Sequence, residues 1–314
     1  MSPKTGARAG AGTGASRRGG SWAERRYRLL LPAAARGALR GRAYAAAVAA
    51  VELARDRERR RAATSNLRLC LGLASGRALG TFARALRSEA AEEAETARLM
   101  VSGGPLPPRV GRRPLEEELA GDGRPTIFAT LHLGSPVLAY LALCRDRPRP
   151  LWIVGRPLDA TNPMPEAKAE WARRKVAWVE RMAGRPFLAT DPAAIARARE
   201  RLVAGDALFT PFDVPGDVAA RSARLRLLGH PTRLAAGMER LARLTGAAIR
   251  PIVGLRRAGG LELVFGRRIE PSEGDPLQAV MEELSSIVRR HPGEWWMWPY
   301  LRFGDGAGEA SGRG

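Results

Sequence analysis

The sequence predicts an α/β fold, a mostly parallel sheet flanked by helices, preceded by a helical N-terminal region. Two observations carry this. From Thr126 onward, short apolar runs with β-type flanks alternate with longer helical stretches, the rhythm of βαβ units. Before that point the pattern is helical alone, rich in Ala, Leu, Arg and Glu. Hydrophobic residues make up 45% of the 314, enough to bury a core of domain size.

Taken in order, residues 1–20 are Gly, Ala, Ser and Arg with almost no large apolar side chain, and read as a disordered basic tail. Residues 21–104 form the helical region, with one helix expected over 62–100. The Pro- and Gly-rich stretch from Gly103 to Pro114 marks a linker. Residues 105–304 then form the α/β domain. Strands are expected at Thr126–Leu131, Leu151–Val154, Pro186–Thr190, Ala207–Pro211, Arg224–Leu228, Ile249–Val253 and Leu261–Phe265. The intervening helices are Val137–Cys144, Glu166–Met182, Pro192–Val203 and one around Ala235–Thr245. Leu277, Val280, Met281, Leu284 and Val288 space a last amphipathic helix, which Pro292 stops. Residues 305–314 are a second disordered tail.

Lys+Arg 52 against Asp+Glu 32 gives a formal charge of +20. A surplus of this size favours an anionic partner: nucleic acid, an anionic lipid surface or an acidic carrier protein. The charge is uneven, since Met1 to Arg61 hold 15 Lys+Arg against 4 Asp+Glu. Within that basic segment the apolar stretch Ala43 to Ala54 falls short of the roughly 20 residues a spanning helix needs. Arg36, Arg40 and Arg42 flank it, which suits an interfacial helix at a membrane surface; a weak signal peptide or a simple packing helix is the alternative. Nucleic acid is disfavoured, because no recognisable nucleic-acid-binding motif accompanies the charge.

Cys70 and Cys144 have neither metal-site spacing nor a disulfide framework, so a reducing, cytoplasmic setting and no metal are expected. Three histidines leave each worth weighing. His230 and His291 both precede proline, in a turn and at a helix end, and read as structural. His132 ends the apolar run Thr126-Ile-Phe-Ala-Thr-Leu-His132, and Gly134 allows a tight turn into the next helix. The carboxyl ends of parallel strands are where α/β sheets present ligand-binding residues. An imidazole there titrates near neutrality and can take a proton from a hydroxyl as it attacks an acyl carbonyl.

This turn resembles that of the glycerolipid acyltransferase superfamily, whose motif is His-x4-Asp/Glu. It is most similar to the bacterial branch that acylates lipid A precursors (the lauroyl and myristoyl transferases) and phosphatidylinositol mannosides. Further similar segments follow the family's order: Asn66-Leu67; Arg156-Pro157 with Asn162-Pro163; Leu228-Gly-His-Pro-Thr232; Ala242-Arg-Leu-Thr-Gly-Ala-Ala-Ile-Arg-Pro251; and Pro292-Gly-Glu-Trp-Trp-Met-Trp298 running on to Arg302-Phe303. The resemblance implies transfer of a fatty acyl group from an acyl carrier protein or CoA thioester to a hydroxyl of a glycolipid or lipid A-like acceptor. The place would be the cytoplasmic face of the inner membrane, with no cofactor beyond the thioester co-substrate. It also implies His132 as general base, Gly134 and Ser135 in the substrate-binding turn, and Arg156 as a contact for a phosphate of acceptor or carrier. The Trp295, Trp296, Trp298 and Tyr300 cluster reads as core packing or as an interfacial belt, and the resemblance favours packing beside the catalytic domain.

One departure matters. Where the family has its acid, five places after the histidine, this chain has Val137, which can neither fix the imidazole tautomer nor stabilise an imidazolium. Asp213, in Phe209-Thr-Pro-Phe-Asp213, is the candidate substitute because it follows a strand and should reach the same sheet edge as His132; Asp217 is the alternate. A turn-capping Asp is the plain alternative. Without a substitute the chain would be a catalytically degenerate relative that binds lipid or acyl chains without transfer.

Overall fold

The pattern that carries the fold is burial on both faces of a short strand. Thr126–Thr130 (β1) is buried at all five positions, as a strand in the middle of a covered parallel sheet must be. The computed structural model describes residues 22–110, 124–158, 164–190, 193–219 and 221–304. Both expected tails, the Asn162-Pro163 segment and Pro192 lie outside these.

A π-helical turn, Arg25–Leu30, leads into the helices α1 (Leu31–Ala34), α2 (Ala38–Arg55), α3 (Arg57–Leu71) and α4 (Ser75–Ser102). After β1 come α5 (Pro136–Asp146), β2 (Leu151–Gly155), α6 (Glu166–Ala183), β3 (Leu188–Ala189), α7 (Ala194–Val203) and β4 (Ala207–Pro211). The hairpin β5 (Ser222–Leu227) and β6 (His230–Ala235) follows, then α8 (Gly237–Thr245), β7 (Ala248–Arg257), β8 (Gly260–Phe265) and α9 (Pro276–Arg290). The main sheet has six strands in the order β3-β2-β4-β1-β7-β8. Every pairing in it is parallel except β7 with β8. The α/β class and the mostly parallel sheet flanked by helices are therefore as the alternating pattern predicts.

Two local expectations are corrected. The single helix over 62–100 is broken after Leu71, where Gly72 takes a left-handed conformation (φ 64°) that caps α3, and α4 begins at Ser75. Ala235 does not begin a helix; it closes β6, which pairs antiparallel with β5 and starts at His230. The turn at Leu228-Gly229, both residues at positive φ, folds the two strands together.

The stretch Ala43 to Ala54 lies within α2. Tyr44, Ala45 and Val48 are buried in one cluster with Ala90, Ala94 and Ala97 of α4, and Ala49 is buried with Ala63 and Leu67, so one face of this helix serves packing. Its other face is exposed. No helix among the described residues is long and apolar enough to cross a membrane. The N-terminal helices share a core with the sheet: Ala63, Leu67 and Phe82 pack in one cluster with Ile127, Leu208 and Trp295. Asn66 fastens this union, donating from Nδ2 to the carbonyls of Trp298 (2.7 Å) and Leu301 (2.9 Å).

Candidate functional site

The site begins with strand register. β1 and β4 are parallel neighbours, with Thr130 opposite Pro211. Carried two residues beyond that pair, the same register sets Asp213 opposite His132 at the carboxyl edge of the sheet. Phe212 N–H donates to the Thr130 carbonyl at 2.8 Å, so the two chains stay together as they leave the sheet. On the other side of the loop, Pro215 bridges to Leu234 and Ala235 N–H donates to the Val214 carbonyl, so the β5–β6 hairpin braces the Asp213 segment.

The carboxylate of Asp213 is fully buried and takes three N–H donors. His132 Nδ1 lies 2.7 Å from Oδ1. The main-chain N–H of His132 and the indole Nε1–H of Trp295 both donate to Oδ2, each at 2.8 Å. A buried charge is tolerable only when it is paired and hydrogen-bonded, and both conditions hold here. The His132 side chain, by contrast, is 38% exposed, so one end of the ring is anchored while the rest faces outward. With Nδ1 donating to a carboxylate, Nε2 is left as the proton acceptor, the tautomer a general base needs. Partial burial pulls the imidazole pKa down. The negative charge and hydrogen bond of Asp213 outweigh it, and the net shift is upward from the usual value.

The turn after His132 is held on two sides. Gly134 has φ 67°, and a Cβ there would collide with the carbonyl of Gly254 on β7; only glycine permits this approach. Ser135 N–H donates to that same carbonyl at 2.8 Å. From the C-terminal segment, Glu294 accepts from Gly134 N–H (3.0 Å) and Trp296 N–H donates to the His132 carbonyl (2.9 Å), with Leu133 and Trp295 bridged between them. The Trp296 ring sits 6.3 Å from the imidazole, centroid to centroid, and forms one wall beside it.

Arg256 is the cross-brace. Its Nη1 donates to Ser135 Oγ at 2.8 Å, and its Nη2 to the carbonyl and hydroxyl of Ser88 on α4, both at 2.9 Å. Ser88 in turn hydrogen-bonds Glu294. The helical N-terminal region, the sheet and the C-terminal segment all meet at this guanidinium.

The sequence-predicted residues thus fall into three groups. His132 and Asp213 are brought into direct contact. Gly134 and Ser135 are adjacent to them, but Ser135 is fully buried and its hydroxyl is engaged by Arg256, so both residues build the turn from within. Arg156 follows β2 at the same edge of the sheet and is partly buried. Asp217 lies exposed in the short turn Gly216–Val218, and Val137 packs partly buried in the first turn of α5. Arg256, Ser88 and Glu294 went unassigned in the sequence, and Trp295 was read there only as a packing residue. The tryptophan cluster was its only visible signal, and packing is indeed part of what it does: Trp295 and Trp298 are fully buried and meet edge to face at 4.7 Å. Among the described residues no group of three or more His, Cys, Asp or Glu side chains could hold a metal. No family model matches the chain, and no curated protein matches it.

Proposed function

We propose that this protein is an O-acyltransferase, moving a fatty acyl group from an acyl carrier protein or CoA thioester to a hydroxyl of a glycolipid or lipid A-like acceptor. The observation that carries the reading is the 2.7 Å contact between His132 Nδ1 and a buried Asp213 carboxylate, in a turn that resembles the family's but lacks its acid at Val137. In this reading Asp213 does what that missing acid would do.

The chemistry runs through His132. The acceptor hydroxyl gives its proton to Nε2 as its oxygen attacks the thioester carbonyl. The tetrahedral intermediate collapses, the C–S bond breaks, and the imidazolium returns the proton to the departing thiolate. Asp213 holds the ring in the required tautomer and stabilises the transient imidazolium. The sequence calls for no metal or redox cofactor. Arg156, at the same sheet edge, suits a phosphate of acceptor or carrier.

The membrane side of the proposal rests on the outer face of the N-terminal helices. Leu29, Leu30 and Leu39 are 66%, 42% and 79% exposed. Arg25, Arg36, Arg40 and Arg42 are exposed around them, and no acidic residue occurs between Arg25 and Val51. Apolar side chains ringed by arginine suit peripheral docking on an anionic leaflet, at about 1 kcal/mol per basic residue near the surface. The same positive field suits an acidic carrier protein. The inner face of the plasma membrane is the location this implies.

The test is transfer from a radiolabelled acyl thioester by purified protein, wild type against His132→Ala. A loss on the order of 10²-fold or more is expected in the variant. Equal turnover in both would remove His132 from the chemistry. Because the base must be neutral and its pKa is raised, the acid limb of the pH–rate profile should lie above about 6.5.

A further inference from the structure

The two buried tryptophans of the C-terminal segment spend their indole N–H groups differently. Trp298 donates to the carbonyl of Pro292, six residues away, at 2.8 Å. Trp295 donates to Asp213, 82 residues away, at the same distance, and both partners are fully buried. A carboxylate on its own can rotate about its last side-chain bond and present either oxygen. Here Oδ2 is occupied by two N–H donors, one from Trp295 and one from the main chain of His132, which leaves Oδ1 aimed at the imidazole.

We propose that Trp295 is a positioning residue for the dyad: its indole N–H fixes the rotation of the Asp213 carboxylate and so the orientation of His132. This rests on the reading of His132 as general base. Packing alone does not account for the arrangement, because the main-chain pairing of Glu294 and Trp296 with Gly134 and His132 sets Trp295 in register opposite Leu133, where its indole meets the carboxylate. The Arg256–Ser88–Glu294 brace holds that register from the other side.

Trp295→Phe keeps the apolar volume and removes the donor. The carboxylate then bears more of its charge against the imidazole, which favours imidazolium. The other charged groups acting on the ring are Lys175 from α6 and Glu89 from α4, with Arg256 of β7 and Glu294 close to the turn; all are retained in the variant. The expected result is an upward shift of the His132 pKa of about half a unit to one unit, read by NMR titration of the ring. With it should come a fall in kcat of roughly tenfold and a KM within about twofold. Trp298→Phe, the matched loss of a buried indole, should leave the His132 titration unchanged. A folded Trp295→Phe protein whose His132 titrates as in wild type would overturn the proposal. Should that variant fail to fold, the wild-type protein answers alone. The Trp295 indole proton should shift with pH along the His132 titration, and an indole signal indifferent to it would equally overturn the proposal. The titration needs no turnover, so a wild type that transfers no acyl group would end the acyltransferase reading and still leave this coupling measured.

Discussion

Two regions of this molecule bury carboxylates, and they do so to different ends. In the N-terminal helices Glu93 accepts from Arg26 (2.7 Å), Tyr27 (2.9 Å) and Tyr44 (3.0 Å), while Glu52 accepts from Arg26 and from Trp22. Arg59 joins Glu52 to Glu89 and covers the ring of Tyr300. The members of that network bond chiefly to one another, although Arg59 Nε is buried without a hydrogen bond among the described residues. At the sheet edge Asp213 is equally buried and equally well bonded, but its principal partner is an imidazole left partly open to solvent. A closed polar network fixes helices; one with a single protruding, titratable member leaves that member able to exchange a proton with solvent or ligand.

The largest effect that would sharpen this contrast is Asp213→Asn. The amide cannot hold the tautomer or balance the imidazolium, and kcat should fall by about 10⁴-fold, the scale known for the orienting acid of a serine protease triad. Retention of most activity would break the assignment. Next is Glu93→Leu, which takes one of the two carboxylates from Arg26 and the shared acceptor from two buried tyrosine hydroxyls. A loss of about 3 kcal/mol is expected from breaking a buried pair. Calorimetry should show Tm lower by roughly 10 °C, with activity per folded molecule near wild type. A selective loss of turnover instead would show that the helical network also tunes the site.

Acid should act on the closed network first. Burial raises the pKa of Glu89, but Arg59 at 2.9 Å, aided by Lys168 and Arg26, overcomes this and holds it down at about 2 against the ordinary 4.5. The sign follows: its contribution to stability is complete above about 4.5 and is lost as pH falls toward about 2. Glu89→Gln should therefore flatten the dependence of Tm on pH in that window, and an unchanged slope would count against it. The His132 pair has the opposite sign, contributing fully below about 6.5 and fading as pH rises through the raised imidazole pKa. The smallest effect expected is that of Val137→Asp. With Oδ1 of Asp213 already on Nδ1, a second acid should change kcat by less than about threefold. A large gain would mean that Asp213 is a poor substitute and the site a degenerate one.

The fold was readable because its signals are local. Strand–helix alternation and the spacing of Leu277, Val280, Met281, Leu284 and Val288 each lie within one element, and α9 buries all five. His132 was readable because it ends an apolar strand. Asp213 was readable as a candidate from its place after β4, but which strand neighbours β1 is decided by tertiary packing, and the sequence leaves that open. Trp295 and Arg256 were out of reach for the same reason: their partners lie 82 and 121 residues away. The β5–β6 hairpin was half missed because His230-Pro231 reads as a turn and Ala235 as a helix former, and cross-strand pairing overrode both.

Asn66, which joins α3 to the carbonyls of Trp298 and Leu301, has a kinetic consequence. Its contact with Trp298 closes a loop of 232 residues, among the most expensive contacts in chain entropy that this topology can make. Helicity in the N-terminal region should therefore appear early in refolding, while the burial of Trp298 and of its neighbour Trp295 arrives late. A chain caught between those moments would own most of its secondary structure yet have no assembled dyad.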